Sequence, residues 1–212
     1  MPGLKKKNQK FPRDGQRGSV QIAPMTREEI IDTFKASGAL LEGHFILRSG
    51  LRSRQFFQCA LVLQEMPVVE KLGAALAATC AGLDIETVVA PAMGGLVIGQ
   101  EVARQLRKRY LFVEKEEGKL VMKRGFVLRP GEKVLVVEDV ITKGGRAQET
   151  IDIVRGLGGE VVAVASLVDR SNGQVSFGIP FKSLLSLEVK AFSPDHLPED
   201  LQKIPPIKPG SK

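Results

Sequence analysis

From Val68 onward, short unbroken apolar blocks alternate with longer stretches in which apolar positions recur every three or four residues. Thr87-Val-Val-Ala90, Tyr110-Leu-Phe-Val113, Val134-Leu-Val-Val137 and Val161 to Val168 have the character of strands buried on both faces, and Leu184 to Val189 is a further one. Between them, Val68 to about Ala81, Leu96 to Lys108 and Gly145 to Leu157 read as helices, the last with Ala147, Ile151, Val154 and Leu157 on one face. This alternation predicts an α/β fold: a mainly parallel central sheet flanked by helices, with ligands at the carboxyl ends of its strands.

The chain before Val68 breaks the pattern. Thr26-Arg-Glu-Glu29 has the form of a capping box ahead of Ile30, Ile31 and Phe34, so a short helix begins there and ends before Gly38. Phe45 to Gly50 and Phe56 to Leu63 read as two short strands around a Ser/Gly turn. The expected organisation is a basic, disordered tail over 1–24, a helix and small hood lobe over 25–67, an α/β core over 68–192, and a C-terminal segment with a second basic tail over 193–212.

Composition narrows the class. In 212 residues, 43% hydrophobic and 26% charged describes a globular protein with a full core. No apolar run approaches the roughly 20 residues that span a bilayer, and no apolar segment follows the basic N-terminus, so a cytoplasmic protein without a membrane partner is expected. The net charge of +7 invites a nucleic-acid reading, but residues 1–18 contribute +5 and residues 203–212 contribute +3, leaving −1 between them. The basicity belongs to the ends, and nucleic-acid binding is not expected. Cys59 and Cys80 lack C-x-x-C spacing, and His44 and His196 lack ligand-spaced neighbours, so no structural zinc site is expected.

Candidate chemistry concentrates in Val134-Leu-Val-Val-Glu-Asp-Val-Ile-Thr-Lys-Gly-Gly-Arg146. Four apolar residues lead into two adjacent carboxylates, which would be costly in a core but can face a crevice where a strand ends. Glycines then bring the backbone close to a ligand, and the free N–H groups of the next helix make an anion site. Hydroxyl acceptors beside a phosphate cradle suit a sugar phosphate. The spacing matches neither a Walker A loop nor a G-x-G-x-x-G turn.

This stretch resembles the 5-phosphoribosyl diphosphate (PRPP) signature of the type I phosphoribosyltransferases. Residues 26–190 most resemble the orotate phosphoribosyltransferases among them. Gly43 to Gly50, Ser53-Arg-Gln-Phe-Phe57, Ala90-Pro-Ala-Met-Gly-Gly95 and Asp169-Arg170 carry the likeness further. The resemblance implies the type I phosphoribosyltransferase fold and magnesium-dependent transfer of phosphoribose from PRPP to N1 of orotate in UMP biosynthesis, through an oxocarbenium-like transition state. It places Glu138 and Asp139 on the ribose hydroxyls and Val140, Ile141, Thr142, Lys143, Gly144, Gly145 and Arg146 around the 5′-phosphate. Ala92, Met93 and Gly94 fall in the pyrophosphate loop, and Arg48 aligns with a PRPP-contacting lysine. Thr142 and Arg170 would contact orotate, Arg170 at its carboxylate, and Phe56 and Phe57 would pack against the ring, one of the two being expected to face the ligand. Lys115 would meet pyrophosphate from a lid of the neighbouring subunit in a homodimer, and Mg²⁺ would ride on PRPP oxygens and water.

The match has departures. Glu114 stands where many members have arginine, the lid has no histidine, and Gly94 stands where some members have lysine; Lys143 and Arg146 are less common in the phosphate turn. The alternatives are a PRPP-sensing regulator on the same fold and a phosphoribosyltransferase for another base.

Overall fold

A computed structural model describes residues 25–47, 49–187 and 189–209. The expected N-terminal tail and Arg48 therefore lie outside the described residues. Helix α1 (Arg27–Ala36) begins at Thr26, whose side chain accepts from the Glu29 N–H while the Glu29 carboxylate accepts from the Thr26 N–H, the reciprocal capping box expected.

Six strands build the main sheet: β3 (Thr87–Pro91), β4 (Arg109–Glu116), β5 (Lys119–Val121), β6 (Lys133–Ile141), β7 (Glu160–Asp169) and β8 (Phe181–Ser186). They run in the order β5-β4-β3-β6-β7-β8, all parallel except β5, which pairs antiparallel with β4. Helices α3 (Met66–Thr79) and α4 (Gly95–Leu106) cover one face with α1, burying Phe34, Leu72, Leu76 and Ile98 against Leu135 and Val137. Helix α5 (Gly145–Gly156) covers the other, burying Ile151 and Val154 against Val89, Val136 and Val164. Alternate residues of β6 thus serve opposite cores, which is why its run is apolar without a break.

At the amino-terminal edge of this sheet, fully buried Glu132 accepts from the Thr87 hydroxyl, from the Arg129 N–H at 2.8 Å and from Arg109 Nη1 at 3.1 Å. Burial pushes its carboxyl up, but these donors outweigh burial and hold it below the usual range. A paired carboxylate here ties β3, β4 and the start of β6 together at the end opposite the site.

The hood is a separate antiparallel sheet of β1 (Leu40–Ile46), β2 (Arg52–Phe57) and β9 (Ala191–Phe192). Its first strand starts earlier than the sequence suggested and ends before the turn. The second stops at Phe57, because Phe57 already pairs with Leu40, the first residue of β1. Cys59–Val62 forms a short helix, α2, rather than strand: Cys59, Val62 and Leu63 are buried and Ala60 and Leu61 exposed, a helical spacing. The C-terminal segment is not a separate tail. The Ile207 N–H donates to the His44 carbonyl and the Ile46 N–H to the Ile207 carbonyl, both at 2.8 Å. Just before it, the short helix α6 (Glu199–Gln202) places Asp200 in a two-point ion pair with Arg54.

Two other expectations shift, at β8 and at the end of α5. Strand β8 lies earlier than Leu184–Val189, since its partner β7 ends at Asp169 opposite Ser186. Leu157 caps α5 and is 49% exposed, because the helix ends at Gly156 before that residue can join the buried face. The charged connection after Val113 is a β4–β5 hairpin, with Leu120 buried and its N–H donating to Glu149 of α5 at 2.7 Å.

Candidate active site

Strand β6 pairs with β7 as far as Ile141 opposite Asp169, but with β3 only as far as Val136 opposite Val89. The acidic pair therefore lies within the last turn of pleat of β6, not beyond it, with one ladder edge open. That open side is filled by the N-terminus of α4. A Cβ on Gly94 would lie 2.6 Å from Asp139 Oδ1, and one on Gly95 would lie 3.0 Å from the Val137 carbonyl oxygen, so glycine at both positions lets this loop close on the acids as they stand. Asp139 Oδ1 accepts from the Val140 N–H at 2.9 Å, and Glu138 Oε1 from the Asp139 N–H at 3.3 Å.

Glu138 is buried and Asp139 half-buried. Burial, and then the neighbouring Asp139 charge, push the Glu138 carboxyl up to about 9. Near neutral pH Glu138 is protonated and both donates and accepts hydrogen bonds, as a sugar hydroxyl does. A carboxyl whose folded-state pKa is raised contributes stability that is complete below its unfolded value near 4.5 and is lost as pH rises toward 9. Glu138→Gln is therefore expected to flatten the fall of melting temperature between pH 5 and 9, a gain on the order of 1–3 kcal/mol at pH 7. Parallel pH–stability curves for the two proteins would refute this.

After Ile141 the chain turns through Thr142, Lys143, Gly144 and Gly145 into α5. Gly144 takes φ +73°, and a Cβ there would stand 2.8 Å from Val175 Cγ1, so the turn is seated on the loop after β7. No side chain caps α5, which leaves its first N–H groups directed into a cleft of about 290 Å³ bounded by Glu138 and residues 140–147. Arg146 Nη1 donates to the Ala92 carbonyl at 3.2 Å, joining this turn to the loop before α4.

A second cavity, of about 660 Å³, lies between the hood and the sheet. Phe56, Phe57, Gln58, Thr142, Lys143 and Arg170 line it, so it opens directly onto the phosphate turn. Both phenylalanines reach it: Phe57 is buried edge-on to Phe34, and Phe56 is half-buried against Phe45. The Arg170 guanidinium lies 5.2 Å from the Phe57 ring centre, and its Nε is buried without a hydrogen-bond partner. Burial draws the Arg170 pKa below its ordinary value. A desolvated, underbonded guanidinium over an aromatic floor is complementary to a planar carboxylate.

A family model for the phosphoribosyl transferase domain matches residues 63–198, more than half of the chain. An orotate phosphoribosyltransferase of Desulforamulus reducens is 51% identical over 188 residues, covering 89% of this chain and 98% of the relative. The chain belongs to the orotate phosphoribosyltransferases. The enzyme of that name from Heliobacterium modesticaldum is 49% identical, covering 89% of this chain and all of the relative. Among solved structures, orotate phosphoribosyltransferase from Aeropyrum pernix superposes with a TM-score of 0.62 at 26% identity, over 75% of this chain and 94% of that one. The type I phosphoribosyltransferase fold expected from the sequence is thus the fold observed.

Within that fold, Glu138, Asp139, the turn from Val140 to Arg146, and Ala92 to Gly94 meet at one end of the sheet, with Phe56, Phe57 and Arg170 adjoining. Lys115 stands apart, exposed on β4 and lining neither cavity. Sequence reasoning missed Gln58, Val189, Ala191 and Pro209, all in the wall of the larger cavity. Gln58 could have been found as the residue following the aromatic pair. The other three reach the site only because the chain returns to the hood, which no local pattern announces. No helix among the described residues is long and apolar enough to cross a membrane.

Proposed function

We propose that the protein joins N1 of orotate to C1 of PRPP, giving orotidine 5′-monophosphate and pyrophosphate. The C1–O bond breaks with its electron pair leaving on pyrophosphate, the C1–N1 bond forms, and the N1 proton passes to water or to the departing pyrophosphate. The observation that carries the reading is the half-buried Arg170 side chain with its buried, unpartnered Nε, set over Phe57 in a cavity that opens onto the phosphate turn. Arg170 receives the orotate carboxylate while Phe56 and Phe57 pack on the ring and Thr142 bonds its edge. The α5 N-terminus with residues 140–146 holds the 5′-phosphate, Glu138 and Asp139 hold the ribose hydroxyls, and the loop 92–94 receives the pyrophosphate.

Lys115 is exposed on β4 and lines neither cavity of its own protomer, which suits a lid lysine that serves the pyrophosphate of a second protomer in a dimer. The Asp139 carboxylate at the crevice is a hard oxygen donor suited to Mg²⁺ beside PRPP, and among the described residues no cluster of three or more metal-ligating side chains occurs. Such an ion would be held chiefly by PRPP oxygens and water, where it would neutralise diphosphate charge.

Incubation with PRPP, magnesium and a panel of bases tests the reading. Orotate alone should release pyrophosphate; product from uracil or a purine, with none from orotate, would reassign the acceptor. Binding of PRPP without turnover on any base would favour a regulator.

A further inference from the structure

Part of the acceptor ring is still unmatched by the residues that would hold it. With its carboxylate on Arg170 and N1 turned toward the ribose, orotate also presents an N3–H, which needs an acceptor, and a C4 carbonyl, which needs a donor. A guanidinium or an ammonium only donates, so neither Arg170 nor Lys143 can meet the N3–H. Thr142 stands on the phosphate turn and serves the ring edge nearest the ribose, while Ser49 is exposed on the turn between β1 and β2. The other polar residue in the cavity wall is Gln58. Its side-chain amide holds a donor and an acceptor in one plane, the complement of an N–H beside a carbonyl.

Gln58 is fixed through its backbone and open at its side chain. It directly follows β2, where its N–H donates to the Ala39 carbonyl at 2.8 Å and its backbone carbonyl accepts from the Leu61 N–H at 3.0 Å. Ala39 and the next residue, Cys59, are both buried, so the anchors lie in the core. Gln58 occupies the N-cap position of α2, yet its amide makes no capping bond, nor any other hydrogen bond among the described residues. A half-buried amide that neither caps its helix nor pairs elsewhere, set next to the Phe56–Phe57 pair, is preformed for a ligand. We propose that Gln58 is a specificity-determining residue that accepts from the N3–H of orotate and donates to its C4 oxygen. This deepens the function proposed above and rests on it. Arg170 then tests the acceptor for a carboxylate, and Gln58 tests the same ring for an N–H beside a carbonyl.

The test compares orotate with 3-methylorotate, which has no proton on N3. The wild type should use orotate better by at least about tenfold in kcat/KM, because a site built to bond an N–H rejects an analogue lacking it. Gln58→Ala should lower kcat/KM for orotate by about 10- to 100-fold and bring the two acceptors within about threefold of each other. The Kd for PRPP should stay within about twofold, since that site is separate. Gln58→Glu, similar in size and still able to accept from N3–H, should lose activity with both acceptors but keep the wild-type ratio. If Gln58 only shaped the start of α2, Gln58→Ala would lower both acceptors alike and leave their ratio intact, and that result overturns the proposal. A wild type that uses the two acceptors equally well overturns it too, as does a ratio lost in Gln58→Glu. Failure of the underlying function reads differently: the wild type would then release no pyrophosphate with orotate, and the assignment of Gln58 would fall with it.

Discussion

Replacing Arg170 by methionine should lower kcat/KM for orotate by about two to three orders of magnitude while leaving the protein as stable as before or more so. The two halves of this result have one cause. In the free protein the half-buried side chain lies over the Phe57 ring with its Nε buried and unpartnered, and this desolvation holds its pKa down. Such a charge costs folding free energy that an apolar side chain of similar length does not. In the complex the same group meets the orotate carboxylate, and removing one partner of a buried, hydrogen-bonded charge pair costs about 2–5 kcal/mol. Steady-state kinetics read the first effect and thermal unfolding the second. Loss of activity together with loss of stability would mean that Arg170 is a structural prop and that the acceptor carboxylate goes elsewhere. Uracil separates the two further: lacking the carboxylate, it should discriminate poorly between wild type and variant.

How much of this was legible depended on distance along the chain. The core strands and α5 were readable because Val134 to Val137 is apolar on both faces, a property of four consecutive residues. The phosphate turn was readable for the same reason, since the acids, the glycines and the helix start are contiguous. Over Cys59 to Leu63, by contrast, apolar content fits a strand or a helix equally, and only the lack of a pairing partner beyond Leu40 decides for helix. The C-terminal wall of the acceptor cavity depends on Ile207 bonding back to β1. Likewise the pairing of Glu114 with Arg124, ten residues on, follows from the hairpin and from no local pattern. Lys115, assigned by resemblance to a lid acting across subunits, stands apart from both cavities within one protomer.

Asp139→Asn is the variant expected to lower kcat most cleanly, by about 10²- to 10³-fold, with little change in the KM for PRPP. The amide keeps the shape of the side chain, the clearance from Gly94 and the hydrogen bond accepted from the Val140 N–H. What it loses is the negative charge, which gains most in value as the ribosyl carbon becomes cationic. Glu138 cannot supply that charge in the wild type, because burial and the adjacent Asp139 keep it protonated up to about pH 9. Removing the Asp139 charge takes away the second of those causes, so the Glu138 pKa should fall in the variant. Activity of Asp139→Asn should then rise with pH as Glu138 ionises in its place, over a range where the wild type is flat. Adding Glu138→Gln should abolish that rise. A pH profile for Asp139→Asn parallel to that of the wild type, or an effect confined to KM, would show that the pair holds the ribose without stabilising its charge.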